Sequence, residues 1–212
     1  MTSKSCAIIC RGKSSSRLSA LKDSYNVCLL VNEWQSELDK FDFISQFISE
    51  QPKVIHVLNR DGRSLLRKEQ YIKYDIHHCQ LNVRQPEYLQ SPLYHSLSML
   101  GVKTKYLSEE MVPISKTGAG GFPSTGVLAV AHAAQVIKAT EIHVIGLDFF
   151  EASYFSHHSH SMKPEVQDYQ KKKGVMMKEY MSDLLIGFPD VSFTFFTDST
   201  FDPKLKNVKI VR

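Results

Sequence analysis

The sequence predicts an α/β fold, a twisted and mostly parallel sheet flanked by helices, and two observations carry this prediction. Short apolar runs alternate with longer segments of helical periodicity along the chain, and such alternation is typical of βαβ units. No internal repeat, low-complexity stretch or linker divides the 212 residues. We therefore expect a single domain over residues 1–212.

Each element follows from a local pattern. Short apolar runs predict strands at 6–10, 27–31, 54–58, 76–83, 103–107, 142–147 and 191–196, with the tail 207–211 as an edge strand. Helical spacing predicts helices at 17–22, 36–49, 64–73, 93–100 and 165–186. Gly187 and Pro189 end the last of these helices.

The stretch 118–150 organises the chain, because it joins a Gly-rich loop, a helix and a strand. Apolar residues at spacings of three and four predict a helix of roughly a dozen residues with one wide apolar face. Ser124 or Thr125 is its expected N-cap, and Lys138 lies at its C-terminal end, where a cation suits the dipole. Free backbone N–H groups at such a helix start form an anion site.

Composition excludes several classes of protein. With 42% hydrophobic and 23% charged residues, the chain is neither disordered nor a coiled coil. The net charge of +4 suits a small anionic ligand, but the dense Lys/Arg blocks of a nucleic-acid binder are missing. The run 171–173 is typical of a solvated helix face. We expect no nucleic-acid partner.

The cysteines and the hydropathy pattern indicate the cellular compartment. Four cysteines lack the spacing of a zinc site and lie in strand-like runs, so buried reduced thiols are expected. There is no signal-peptide pattern and no apolar run near the ~18 residues that a membrane span needs. A cytoplasmic protein without a transmembrane segment is expected.

The first strands end in polar residues that suit a nucleotide. Gly12, Lys13 and Ser14 follow the first strand, but no glycine precedes Gly12 at P-loop spacing, which excludes a P-loop ATPase or kinase. Asn32 and Asn59 follow the next two strands, at the edge where doubly wound sheets bind ligands. A turn or helix-capping role for Asn32 stays open.

At this point the chain resembles the sialyltransferase superfamily. The segment PSTGVLAVAHAAQVIKATEIHVIGLDFF resembles the small sialyl motif, in the version of the small bacterial enzymes. CAIICRGKSSS through LLVNEW resembles the large motif, and HSMKPE, with His160 and Glu165, resembles the very small motif. The three motifs stand in family order with plausible spacing and cover about two-thirds of the chain.

The resemblance implies a Rossmann-like glycosyltransferase that moves sialic acid, with inversion, from CMP-sialic acid to a glycan acceptor. It implies no resident cofactor and no metal, with His160 as general base, Tyr154 at the phosphate, and Lys13 and Glu165 in support. The donor-binding residues that it implies are Gly12, Ser14, Asn32, Asn59, Ser124, Thr125, Gly126 and Asp148.

The residues themselves agree with parts of this chemistry. Displacing a nucleotide phosphate requires stabilisation of the leaving group and removal of a proton from the acceptor. The sequence contains no DxD, the metal clamp that many sugar-nucleotide transferases use for a leaving diphosphate. A monophosphate leaving group can instead rely on a helix N-terminus and on Lys13. Histidine has the right unperturbed pKa, ~6.5, for a base near neutral pH.

The chain also departs from the family pattern. Phe150 stands where the bacterial enzymes carry a tyrosine, so one phosphate-binding hydroxyl is missing. Tyr154 matches the second tyrosine of the family only with a small offset, and a core anchor is its alternative role. The loop between Asp148 and His160 is shorter than in the bacterial enzymes.

Other readings of these residues stay open. His157, His158 and His160 together suit a metal site or a solvated loop as well as a base. His160 is preferred to His158 only for its spacing to Glu165. At the level of function, a non-catalytic nucleotide- or sugar-binding module and a metal-dependent pyrophosphokinase are the alternatives.

Overall fold

The computed structural model describes residues 4–58, 65–81, 92–106, 123–151 and 164–212. Its strands are β1 (Ser5–Ile9), β2 (Val27–Val31), β3 (Val54–Leu58), β4 (His78–Leu81), β5 (Lys103–Tyr106), β6 (Glu141–Ile145), β7 (Ser192–Phe196) and β8 (Val208–Val211). They form one sheet in the order β5-β4-β3-β2-β1-β6-β7-β8, and all seven neighbouring pairs are parallel. The predicted α/β fold with a parallel sheet is confirmed, including the edge strand in the tail.

The helices follow the predicted order. They are a 3₁₀ helix (Lys13–Ala20), α1 (Glu37–Lys40), α2 (Asp42–Ser49), α3 (Lys68–Lys73), α4 (Pro92–Met99), α5 (Thr125–Gln135) and α6 (Pro164–Ile186). None of the helices in the described part of the chain combines the length and hydropathy that a membrane-spanning helix needs.

Two predicted helices differ from the structure. The helix expected at 36–49 is divided, because Phe41 has an extended backbone (φ −122°, ψ 101°) that ends α1 and begins α2. The break lets both short helices bury apolar side chains, Leu38 from α1 and Ile44 from α2. The helix expected at 17–22 is instead a 3₁₀ helix that starts at Lys13, directly after the loop that leaves β1.

The strand order places a topological switch at the middle of the sheet. The chain begins at β1, winds outward to β5, and then returns to β6 on the other side of β1. Helices α5 and α6 cover one face, while the 3₁₀ helix and α1 to α4 supply residues to the core on the other face. In such sheets ligands bind outside the carboxyl ends of the strands at the switch point, here between β1 and β6.

All four cysteines are buried and free, as predicted from their strand-like surroundings. Burial raises the pKa of the Cys6 and Cys79 thiols to about 12. At neutral pH these thiols are protonated and unreactive, so they act as small apolar core residues.

Candidate functional site

The loops that leave β1 and β6 are in direct contact at the switch point. The Gly12 N–H donates to the Gly146 carbonyl at 2.7 Å, and the Cys10 N–H donates to the Ile145 carbonyl at 2.8 Å. A Cβ atom on Gly12 would lie 2.3 Å from Asp148 Oδ2. Gly146 has a left-handed φ of 76°, and a Cβ there would lie 2.0 Å from Ser15 Oγ. The contact requires glycine at both positions.

The Asp148 carboxylate joins these loops to the loop that follows β7. It accepts the Ser14 N–H at 3.0 Å, the Ser14 hydroxyl at 2.6 Å and the Asp198 N–H at 3.0 Å. The Thr197 hydroxyl also lies 3.0 Å from Asp148 Oδ1. Asp148 is 3% exposed, so these protein donors replace water around a buried carboxylate. Asp148 thereby connects the carboxyl ends of three strands.

The turn after Asp148 holds two consecutive residues in the left-handed region. Phe149 has φ 49° and Phe150 has φ 61°, conformations that are strained for aromatic residues. The turn packs closely against Gly174 of α6. A Cβ atom at position 174 would lie 2.2 Å from the Phe149 carbonyl oxygen, so only glycine leaves room for the turn. The Phe149 ring also packs against Phe201, with centroids 4.7 Å apart. The surrounding packing stabilises the strained turn.

The N-terminus of α5 lies against the end of β1. Ser124 is the N-cap, and its hydroxyl oxygen accepts the Val127 N–H at 3.4 Å. A Cβ on Gly126 would lie 3.2 Å from Cys10 Sγ, which shows how close the first turn comes to β1. Within the described residues, no acceptor pairs with the N–H groups of Thr125 and Gly126. These two donors suit an anion at the helix start.

Asn32 ends β2 in the left-handed region, with φ 65°. Its N–H donates to the Val57 carbonyl at 2.8 Å, so its backbone still pairs with β3. Its side-chain Oδ1 is buried and meets no hydrogen-bond donor among the described residues. An unpaired buried amide oxygen is costly, and a ligand that donates a hydrogen bond relieves that cost.

His56 holds the Asn32 carbonyl and was missed by the sequence reasoning. Its Nε2 lies 2.7 Å from the Asn32 carbonyl oxygen, and its Nδ1 lies 2.9 Å from the Tyr71 hydroxyl. His56 is fully buried, and this burial lowers its pKa to about 4. The available signal was a single polar residue in the middle of the apolar strand VIHVL.

Two cations follow β1 and differ in their environment. Arg11 forms ion pairs with Glu33 at 3.3 Å and with Glu37 at 3.1 Å, so its charge is balanced by neighbouring carboxylates. Lys13 is exposed, and its ammonium has no ion-pair partner within the described part of the chain. Lys13 is therefore a cation near the switch point that an anionic ligand can engage without breaking an ion pair among the described residues.

The predicted site residues fall into three groups. Lys13, Asn32, Ser124, Thr125 and Gly126 lie at the carboxyl edge of the sheet around the switch point. The second group contains Gly12, Ser14 and Asp148, which are buried and form hydrogen bonds with neighbouring loops of the protein. Their contacts with a nucleotide stay predictions.

The third group lies outside the described residues. It contains Asn59, Tyr154 and His160, together with the neighbouring histidines of the alternative metal site. Glu165 is the second residue of α6, and its backbone alone is described. Among the residues that the structure describes, no group of three or more His, Cys, Asp or Glu is placed to hold a metal ion.

Comparisons with known proteins give similarity of fold at low identity. The chain is similar to the sialyltransferase CST-II in complex with a trisaccharide acceptor and CMP, with 14% identity, a TM-score of 0.41, and coverage of 96% of this chain and 85% of that one. It is also similar to CstII from Campylobacter jejuni in complex with the substrate analogue cytidine-5'-monophosphate, with 14% identity, a TM-score of 0.38, and coverage of 94% and 83%.

A further similar structure is 1-deoxy-D-xylulose 5-phosphate reductoisomerase from Zymomonas mobilis in complex with NADPH. The identity is 12%, the TM-score is 0.38, and the match covers 92% of this chain but only 39% of the reductoisomerase. No family model matches the sequence, and no curated protein matches it.

The Asp148 contacts predict a large effect of Asp148→Asn on stability. An amide offers one acceptor oxygen in place of two, so its NH₂ must face a buried donor. We expect the free energy of unfolding, measured by urea denaturation, to fall by roughly 3 kcal/mol. The matched control is Asp198→Asn, since the Asp198 side chain forms a partly exposed ion pair with Arg17; loss of this ion pair costs under about 1 kcal/mol. Equal losses in the two variants would contradict the role of Asp148.

The lowered pKa of His56 predicts a loss of stability in weak acid. In the unfolded chain the pKa of His56 is about 6.5, so the histidine binds a proton below that pH. In the folded protein its pKa is about 4, so it stays neutral over the same pH range. Between pH 7 and pH 5 the free energy of unfolding should therefore fall by about 2 kcal/mol through His56 alone. His56→Gln should remove this component. The pKa of His143 is also lowered, chiefly by burial, but His143 contributes equally to both proteins. Identical pH slopes would refute the prediction.

Proposed function

We propose that the chain is a metal-independent, inverting glycosyltransferase. In this proposal it moves sialic acid, or a related 2-keto acid sugar such as Kdo, from a CMP-activated donor to a hydroxyl of a glycan acceptor. The observation that carries the proposal is the start of α5, beside the end of β1 at the switch point, where the N–H groups of Thr125 and Gly126 meet no acceptor among the described residues.

The donors at this edge suit a phosphate monoester. The N–H groups at the start of α5 and the helix dipole attract an anion, and the exposed Lys13 adds a positive charge. Asn32 supplies a buried amide oxygen that meets no donor among the described residues, and a donor on the nucleotide would pair it. In this proposal the N–H groups and Lys13 stabilise one phosphate without a metal, which agrees with a sequence that lacks DxD.

The proposed reaction is a single displacement. The acceptor oxygen attacks the anomeric carbon of the sugar, its proton passes to His160, and the bond to the phosphate oxygen breaks to release CMP. Tyr154 and the α5 N-terminus stabilise the charge that develops on the leaving phosphate, and Glu165 orients the region of the base. The roles of His160, Tyr154, Asn59 and Glu165 are taken from the motif resemblance alone.

The proposal includes a cellular compartment. We propose a cytoplasmic enzyme that takes a soluble CMP-sugar and meets a membrane only where its glycan acceptor is attached to one. A non-catalytic nucleotide-binding module is the second candidate. It is favoured by Phe150, which stands where the resembling enzymes carry a phosphate-binding tyrosine.

Release of CMP tests the proposal. We expect the protein to release CMP from CMP-sialic acid or CMP-Kdo in the presence of a suitable glycan acceptor, with no loss of rate in EDTA. His160→Ala should lower the rate by at least about 100-fold, because it removes the general base. His158→Ala is the matched control, and its rate should stay close to wild type.

Four outcomes separate the alternatives. CMP binding without release from any acceptor panel would identify a binding module. Loss of release in EDTA would favour a metal-dependent enzyme, and ATP turnover with a divalent ion would favour the pyrophosphokinase. A normal rate for His160→Ala with a slow His158→Ala would move the base to His158.

A further inference from the structure

We propose that His56 is a positioning residue for nucleotide binding, which acts by holding the backbone of Asn32 in the conformation that presents its side-chain amide at the carboxyl edge of the sheet. This inference rests on the proposed function, since it takes Asn32 to be a ligand of the nucleotide. His56 itself lies inside the core, with 0% exposure, and contacts no ligand.

The carbonyl of Asn32 depends on His56 for its hydrogen bond. The left-handed φ of 65° turns this carbonyl away from the regular ladder, and no backbone N–H of the described residues donates to it. His56 lies one strand away on β3, and its Nε2 reaches the carbonyl oxygen at 2.7 Å. Without the His56 donor, this carbonyl at the end of β2 has no donor left among the described residues.

The hydrogen-bond partners determine the tautomer of His56. A carbonyl oxygen accepts only, so Nε2 carries the proton, and Nδ1 accepts the Tyr71 hydroxyl at 2.9 Å. Cys79 Sγ lies 3.9 Å from the same hydroxyl, where a thiol forms a weak hydrogen bond. The chain from Cys79 through Tyr71 and His56 to Asn32 therefore has one direction of donation, from β4 to the end of β2. Burial lowers the pKa of His56 to about 4, which keeps the imidazole neutral at physiological pH.

The unpaired Oδ1 links this hydrogen-bond chain to a ligand. Asn32 Oδ1 is buried and finds no donor among the described residues, although the carbonyl and the N–H of the same residue are both paired. The backbone of Asn32 is thus fixed on both sides, while its amide oxygen still lacks a donor among the described residues. A fixed backbone with an unpaired side-chain acceptor suits a pre-organised ligand contact.

The test is a double-mutant cycle on CMP affinity, measured by calorimetry. His56→Phe keeps a ring and removes the donor, and we expect it to weaken CMP binding about tenfold. His56→Gln retains an N–H donor and should bind within about threefold of wild type. In an Asn32→Gly background, which keeps the positive φ but lacks the amide, His56→Phe should change affinity by less than about twofold.

Tyr71→Phe provides a second variant with a smaller change in packing. It removes only the hydroxyl that fixes the tautomer, so it should weaken CMP binding about threefold in the wild type and leave the Asn32→Gly protein unchanged. Circular dichroism confirms folding at the temperature of the titration. If His56→Phe does not fold, the double-mutant cycle with Tyr71→Phe alone tests the positioning role of His56.

The outcomes separate this inference from the proposed function. Equal losses of affinity in both backgrounds, or wild-type affinity of a folded His56→Phe or Tyr71→Phe protein, would overturn the positioning role while the transferase proposal stands. Coupled losses without any turnover would support the positioning role and overturn the transferase. A wild-type protein that binds no CMP would overturn both.

Discussion

The buried carboxylate of Asp148 is the interaction on which the arrangement of the site depends. It receives donors from the loops after β1 and β7 while it belongs to the loop after β6. These loops meet at the switch point of the sheet. Glycine at positions 12 and 146 allows the backbones to approach within hydrogen-bonding distance, and the carboxylate then holds them in place. A neutral or longer side chain at 148 would disturb the ends of three strands at once.

Among the described residues, paired and unpaired polar groups are separated at this edge. Ser14 and Asp148 form a hydrogen bond with each other inside the protein, and their contacts with a nucleotide stay predictions. Lys13, Asn32 and the first turn of α5 retain unpaired groups within the described residues. A second buried chain of hydrogen bonds, from Tyr71 through His56, reaches the same edge at the end of β2. In the proposed function, these two internal networks position the donors and acceptors that the nucleotide contacts.

The local sequence pattern predicted the fold well, because strands that alternate with helices are typical of a parallel sheet built from βαβ units. It also limited the N-cap of α5 to two residues, one of which, Ser124, caps the helix. It could not divide the helix at Phe41, since the break depends on how α1 and α2 each pack on the sheet. The Ser14–Asp148 contact spans 134 positions, and the role of His56 requires a neighbour on another strand. Such long-range pairings leave little trace in a single sequence.

The central claim is that a CMP nucleotide binds at the switch point between β1 and β6. An amide NMR titration of the isotope-labelled protein with CMP tests it most directly. The account predicts that the largest shift changes fall on the N–H groups of Lys13, Asn32, Thr125 and Gly126. Shift changes concentrated at the opposite edge of the sheet, around Tyr25 and the start of β6, or no changes at millimolar CMP, would contradict it.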